Sequence, residues 1–176
     1  DNIPISPALM YNDVRPAELV KELCLHAPPG PACSQSSALA KAVWLYRKSR
    51  PTIDFHIQQQ AGWILAKFTG EPGTSDWNNA LKLGFDVEAL QWPDWLTNID
   101  IGRGKLPSVF PPGKDIAAIA PNIARQTGLP AGTRLHAGTT DSIAAFLASG
   151  ASQAGESVTS LGSTLVLKLC SRKPIT

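Results

Sequence analysis

Metal-chelating clusters, a nucleophile elbow and a dinucleotide-binding fingerprint are all missing from this sequence, so three common routes to chemistry have no residues to run on. The three cysteines, Cys24, Cys33 and Cys170, form no Cys-x-x-Cys pair and are too few for a disulfide scaffold, which favours a reducing compartment over a secretory one. The three histidines, His26, His56 and His136, are scattered, without the close spacing of a structural zinc site. No apolar run approaches the roughly 20 residues that span a bilayer, and no charged-then-apolar leader opens the chain, so a soluble, unprocessed protein is expected. Charge of one sign is scarce as well. A formal net charge of +2 with 17% charged residues offers nucleic acid or an anionic membrane no electrostatic footing. There is no internal repeat and no low-complexity tract.

What is present is 43% hydrophobic residue over 176 positions, enough for one complete core or for most of one domain plus part of another. The chain begins Asp1-Asn2-Ile3 and stops soon after Leu165-Val166-Leu167-Lys168-Leu169, and both ends are expected to be cuts through a longer protein. Pro16 suits a first helical position, and Leu19, Val20, Leu23 and Cys24 recur at helical spacing, so a short helix is predicted over 16–25. The prolines of 27–31 cannot continue it. A second helix is predicted over 36–48 and a third, the longest, over 53–68, closed by Gly70. Gly62 inside it costs about 1 kcal/mol against alanine, which marks a close approach of the helix to a neighbour. A shorter helix is expected over 77–82, followed by the aromatic cluster of Phe85, Trp92 and Trp95, which is assigned to packing. The stretch 98–112 is glycine- and proline-rich and is expected to be irregular, 116–127 helical, 134–137 a strand, and 156–161 with 165–169 a hairpin around Gly162-Ser163-Thr164. A helix is also expected after Asp141, ending before Gly150.

Three places could carry chemistry. Asp141 stands where a strand gives way to a helix, where open α/β sheets put reactive groups, and a helix N-terminus favours an ionised carboxylate there. The same carboxylate would serve equally as a helix or turn cap. Gly162, Ser163 and Thr164 offer a turn with small residues, amides and hydroxyls suited to anionic oxygens, or an ordinary hairpin bend. Tyr11, Asn12 and Asp13, with Arg15, follow Pro7-Ala8-Leu9-Met10, which an edge strand could deliver to a loop; an aromatic face beside amide and carboxylate groups suits a sugar, and Asn12 and Asp13 suit a strand end or cap as well. Lys41, on the second helix, is read as solvated with its stem along the helix.

Taken together and in order, these pieces resemble the FGGY carbohydrate kinases of the actin and hexokinase superfamily. The stretch 7–15 is similar to that family's segment with an aromatic, a polar pair and an arginine. Lys41-Ala42-Val43-Trp44-Leu45 resembles its lysine-to-tryptophan helix. Phe68-Thr69-Gly70-Glu71, followed by Thr74-Ser75-Asp76-Trp77-Asn78-Asn79-Ala80, is similar to its threonine-glycine stop and aspartate-bearing helix. Thr127-Gly128-Leu129-Pro130-Ala131-Gly132-Thr133 leads into Ala137-Gly138-Thr139-Thr140-Asp141, where the family places its catalytic aspartate, and Ser160-Leu161-Gly162-Ser163-Thr164 stands at its phosphate-binding hairpin. The Ser-Leu-Gly-Ser-Thr form is most similar to pentulose kinases, the D-ribulose/D-xylulose branch of photosynthetic organisms.

The resemblance implies an α/β fold of the ribonuclease H-like type, incomplete here, with residues 1–150 in the N-terminal sugar-binding domain and 151–176 opening the C-terminal nucleotide-binding domain. It implies transfer of the γ-phosphoryl of ATP to a hydroxyl of a pentulose, with Mg²⁺, in the cytoplasm or in a plastid. Asp141 would be the general base and would meet the metal through water; Tyr11, Asn12 and Asp13 would contact the sugar; Gly162, Ser163 and Thr164 would hold nucleotide phosphate. The family's usual Gly-Thr-Ser is Gly-Ser-Thr here, and its early Asp-x-Gly-Thr phosphate loop and later adenosine segment are missing, so these 176 residues alone are expected to be inactive. A non-catalytic sugar-binding or regulatory protein on the same fold is the competing class.

Overall fold

A computed structural model describes residues 2–34, 36–102, 104–162 and 165–173. The chain divides into two compact units, Asp1–Gly138 and Thr139–Thr176.

In the first unit, helix α1 (Ala17–Leu23) starts behind Pro16, whose missing N–H is no loss at a helix start. The prolines that follow hold a loop, as expected, before a 3₁₀ turn at Pro31–Cys33. Helix α2 (Ala38–Ser49) is capped by Ser37, whose Oγ accepts from the Ala40 amide at 3.1 Å. Leu39, Ala40 and Val43 of α2 meet Leu23, Ala32, Leu96 and Ile99 in the buried core, and Trp92 and Trp95 pack against it. Phe85 and Trp92 lie edge to face at 5.1 Å, and the Trp92 indole donates to the Pro107 carbonyl at 3.1 Å, so the aromatic cluster is packing. Cys24 and Cys33 are joined as a disulfide with their Cα atoms 5.6 Å apart, tying the end of α1 to the 3₁₀ turn. Their sequence spacing carried no sign of that bridge.

The third helix is shorter than its pattern predicts. Residues Phe55–His56 form strand β1, and helix α3 runs only over Gln60–Thr69, ending as expected on Gly70 in the left-handed conformation. Strand β2 (Thr74–Asp76) leads directly into helix α4 (Trp77–Ala80), which tightens into a 3₁₀ turn at Leu81–Leu83. The stretch expected to be irregular holds two strands, β3 (Gly104–Lys105) and β4 (Ser108–Phe110). β1 pairs in parallel with β3, and β2 with β4. The physical reason is the same at both places: pairing with a distant strand satisfies backbone groups that local propensity assigned to a helix or to nothing.

The predicted helix over 116–127 is likewise split. Strand β5 (Asp115–Ala118) pairs antiparallel with β6 (Arg134–His136), and helix α5 (Pro121–Thr127) begins only at the proline. Proline disfavours helical backbone in the residue before it, and Ala120 is extended accordingly. Arg134 reinforces the β5–β6 pair by donating from Nε to both carboxylate oxygens of Asp115 at 3.0–3.1 Å.

The second unit consists of helix α6 (Asp141–Ala148) and the hairpin of β7 (Ser157–Leu161) with β8 (Leu165–Leu169), in the register Leu161 opposite Leu165 and Ser157 opposite Leu169. Both elements match their sequence patterns. Ser163 and Thr164, at the bend, lie outside the described residues. The loop before β7 is closed by Glu156, whose Oε2 accepts from the amides of Ser152 and Gln153 at 2.7 and 2.8 Å. Among the described residues, no helix is long and apolar enough to cross a membrane.

Gly62 is where α3 touches β2: a Cβ added there would sit 2.5 Å from the Thr74 carbonyl oxygen. Helix propensity alone would make Gly62→Ala stabilising by about 1 kcal/mol. The overlap with backbone, typically worth about 1–3 kcal/mol, opposes it. Gly62→Ala is expected to lower stability in urea unfolding, and a neutral or stabilised variant would show that α3 and β2 do not approach so closely.

Candidate functional site

Residues 7–10 form no strand among the described residues, so Tyr11 is presented by a turn and not by a sheet edge. The Asp13 amide donates to the Met10 carbonyl at 3.0 Å, which places Tyr11 and Asn12 at the two corners. Tyr11 is 78% exposed, and Asn12 is exposed beside it. Asp13 faces inward to its own loop: Arg15 donates from Nε to both carboxylate oxygens at 3.0 and 2.9 Å, and its backbone amide to Oδ1 at 3.0 Å. Those bonds hold the Asp13 carboxyl at about 2, well below the usual carboxylate range. Arg15 in turn lies over the Trp44 ring of α2, 5.3 Å from its centroid.

Lys41 departs most from its sequence reading. It is 9% exposed, and its Nζ donates to the carbonyls of Tyr11 at 2.9 Å and Ser36 at 2.8 Å. Burial pushes its ammonium below the ordinary lysine value, and Asp13 pulls in the opposite direction. Its helix position agrees with a cation that has partners. Lys41 falls in the first turns of a helix, between the buried Ala40 and Val43, where the positive end of the helix dipole disfavours a cation with no other partner.

Also in the first unit, α3, β2 and β6 border a cleft of about 360 Å³, lined by Gly62, Phe68, Thr74, Asp76 and His136 among others. Asp76 is buried there at 2% exposure, and its Oδ1 accepts from the Asn78 and Asn79 amides, each at 3.0 Å, as the cap of α4.

In the second unit, Asp141 is the first residue of α6 and is exposed, and its Oδ1 accepts from the Ser142 amide at 2.7 Å. Lys168 of β8 donates from Nζ to the carbonyl and the hydroxyl of Ser142, so the hairpin is bound to the helix start at the residue after Asp141. Gly162, on the bend, is exposed. At 3.4 Å per residue the bend begins ~14 Å along the ribbon from Lys168. No group of three His, Cys, Asp or Glu side chains able to hold a metal occurs among the described residues.

No family model matches the chain. Solved structures do. A xylulose kinase from Rhodospirillum rubrum superposes with a TM-score of 0.72 at 23% identity, over 88% of this chain and 34% of that one. The chain carries part of a sugar-kinase fold. A xyloylose kinase from Brucella ovis gives a TM-score of 0.76 at 19% identity, over 93% of this chain and 35% of its own. A carbohydrate kinase from Novosphingobium aromaticivorans gives 0.73 at 19% identity, over 99% and 40% respectively. The chain thus spans between 34% and 40% of the length of these three kinases.

The Asp13–Arg15 pair has a pH signature. Because the folded pKa of Asp13 is depressed from 3.8 to about 2, the pair's contribution is intact above about 3.8 and disappears as pH falls towards 2. Carboxyl carbon NMR should place the Asp13 midpoint near 2; a midpoint at 3.8 or above would mean that Arg15 does not hold it.

Proposed function

We propose that the full-length protein transfers the γ-phosphoryl group of ATP to a hydroxyl of a sugar, a pentulose of the D-ribulose or D-xylulose kind. The observation that carries this reading is the placement of Asp141: an exposed carboxylate at a helix start, bordered by the hairpin that binds the next residue. The sugar-kinase fold supports it, and two of the similar structures are described as xylulose and xyloylose kinases. Residues 1–150 would belong to the sugar-binding domain and 151–176 to the start of the nucleotide-binding domain.

In this reading Asp141 accepts the proton of the attacking sugar hydroxyl. The hydroxyl oxygen forms a bond to the γ-phosphorus, the bond from that phosphorus to the β–γ bridging oxygen breaks, and ADP leaves with that electron pair. Gly162, Ser163 and Thr164 would hold phosphate oxygens through amides and hydroxyls. The exposed Tyr11 ring offers its face to the sugar and Asn12 its amide, while Asp13, clamped by Arg15, keeps the turn in shape and contacts the sugar with its remaining lone pairs.

A single exposed carboxylate with one oxygen engaged by the Ser142 amide fits Mg²⁺, an ion that keeps most of its waters and takes phosphate oxygens with only one or two carboxylates. Asp141 would hold it through a water. The ion supplies charge neutralisation at the phosphate oxygens when bound.

The test is Asp141→Ala in the full-length protein, assayed with D-ribulose, D-xylulose, L-ribulose and glycerol. Turnover is expected to fall by roughly 10²–10⁴-fold, the range of general-base catalysis, with sugar affinity largely kept. A protein that binds one of these sugars but phosphorylates none, with or without Asp141, would be the non-catalytic alternative.

A further inference from the structure

We infer that Lys41 is the positioning residue of the Tyr11–Asp13 turn, holding it through the Tyr11 carbonyl in the place where it meets the sugar. This rests on the proposed reading of that turn as the sugar contact. The turn has little else to hold it. Residues 7–10 enter without a strand partner among the described residues, and one backbone bond, from the Asp13 amide to the Met10 carbonyl, closes the corner. Beyond that, Arg15 fixes the far side through Asp13 and Trp44. On the near side, the Lys41 ammonium grips the Tyr11 carbonyl at 2.9 Å.

The ammonium is not explained by stability. It is 9% exposed and, among the described residues, hydrogen-bonds no carboxylate; the acceptors are the Tyr11 and Ser36 carbonyls, and Asp13, a carboxylate that influences it, is already clamped by Arg15. Taking a cation out of water for two neutral acceptors is costly, and an apolar residue of the same length would fill the space without that cost. What an apolar residue cannot do is join two separate chain segments. Lys41 ties the Tyr11 turn to Ser36, and Ser36 adjoins Ser37, the buried cap that starts α2. The turn is thereby referenced to the rigid helix and its core, which is what a preorganised binding loop needs.

The experiment uses the full-length protein and Lys41→Met, which keeps the buried stem and removes every donor. Hydrogen exchange measured by mass spectrometry should show faster exchange across residues 10–13 in the variant, with exchange in α2 unchanged. In turnover assays the sugar KM should rise about tenfold, the scale of one lost hydrogen-bonded contact, while kcat and the KM for ATP stay within about twofold. Unchanged exchange at 10–13 overturns the inference. So does a variant whose sugar and ATP constants deteriorate together, because that pattern belongs to a general structural role. If Lys41→Met does not fold, the wild type decides: a Lys41 ammonium ¹⁵N signal with hydrogens protected from water upholds the tie, and one in fast exchange refutes it. Exchange does not depend on catalysis, so faster exchange at 10–13 in a protein that phosphorylates no sugar upholds the tie and overturns only the kinase reading.

Discussion

A buried ammonium between two backbone carbonyls ties the Tyr11–Asp13 turn of the first unit to helix α2. Lys41 stands on the same helix that contributes Leu39, Ala40 and Val43 to the core, so the hydrophobic effect that seats α2 also fixes where its Nζ can reach. The reach ends at the Tyr11 and Ser36 carbonyls. Through the first, an exposed turn that has no strand behind it among the described residues is tied to α2; through the second, Ser36, beside the helix cap, shares the same ammonium. Arg15 completes it from the other side, its guanidinium donating to Asp13 while lying over the Trp44 ring. Packing thus sets the position of polar groups that are themselves largely in solvent.

The second unit uses a comparable device at smaller scale. A two-stranded hairpin is marginal by itself. Here Lys168 binds it to Ser142 at the start of α6, and Glu156 closes the loop that connects helix to hairpin. Leu161, Leu165, Leu167 and Leu169 nevertheless remain exposed, which fits a chain that spans 34–40% of the length of the kinases sharing its fold. The Asp141 side chain stays exposed beside this tie.

Legibility from sequence followed the range of the interactions. Helix α2, helix α6 and the β7–β8 hairpin were apparent because each is specified by neighbours: apolar spacing in the helices, a glycine at the bend or stop. Gly62 was apparent as a close approach, though not that its neighbour is the Thr74 carbonyl. The helices predicted over 53–68 and 116–127 lost their first turns to strands, because Phe55 and His56 pair with residues near 104, and Asp115 to Ala118 with residues near 135. Pro121 starts the helix that remains, with the residue before it extended.

The candidate site divides in the same way. Sequence alone determined that Asp141 begins a helix and that Gly162 sits on a hairpin bend, because both depend on backbone preferences within a few residues; that Tyr11 and Asn12 occupy a turn and do not follow an edge strand came only with the structure. Only tertiary structure decided that Lys41 is buried, that Asp13 is committed to an arginine resting on Trp44, and that Cys24 and Cys33 meet. A lysine's spacing on a helix says which way its stem departs. Whether the ammonium ends in water or against a carbonyl is settled by what other segments, folded from elsewhere in the chain, have already filled around it.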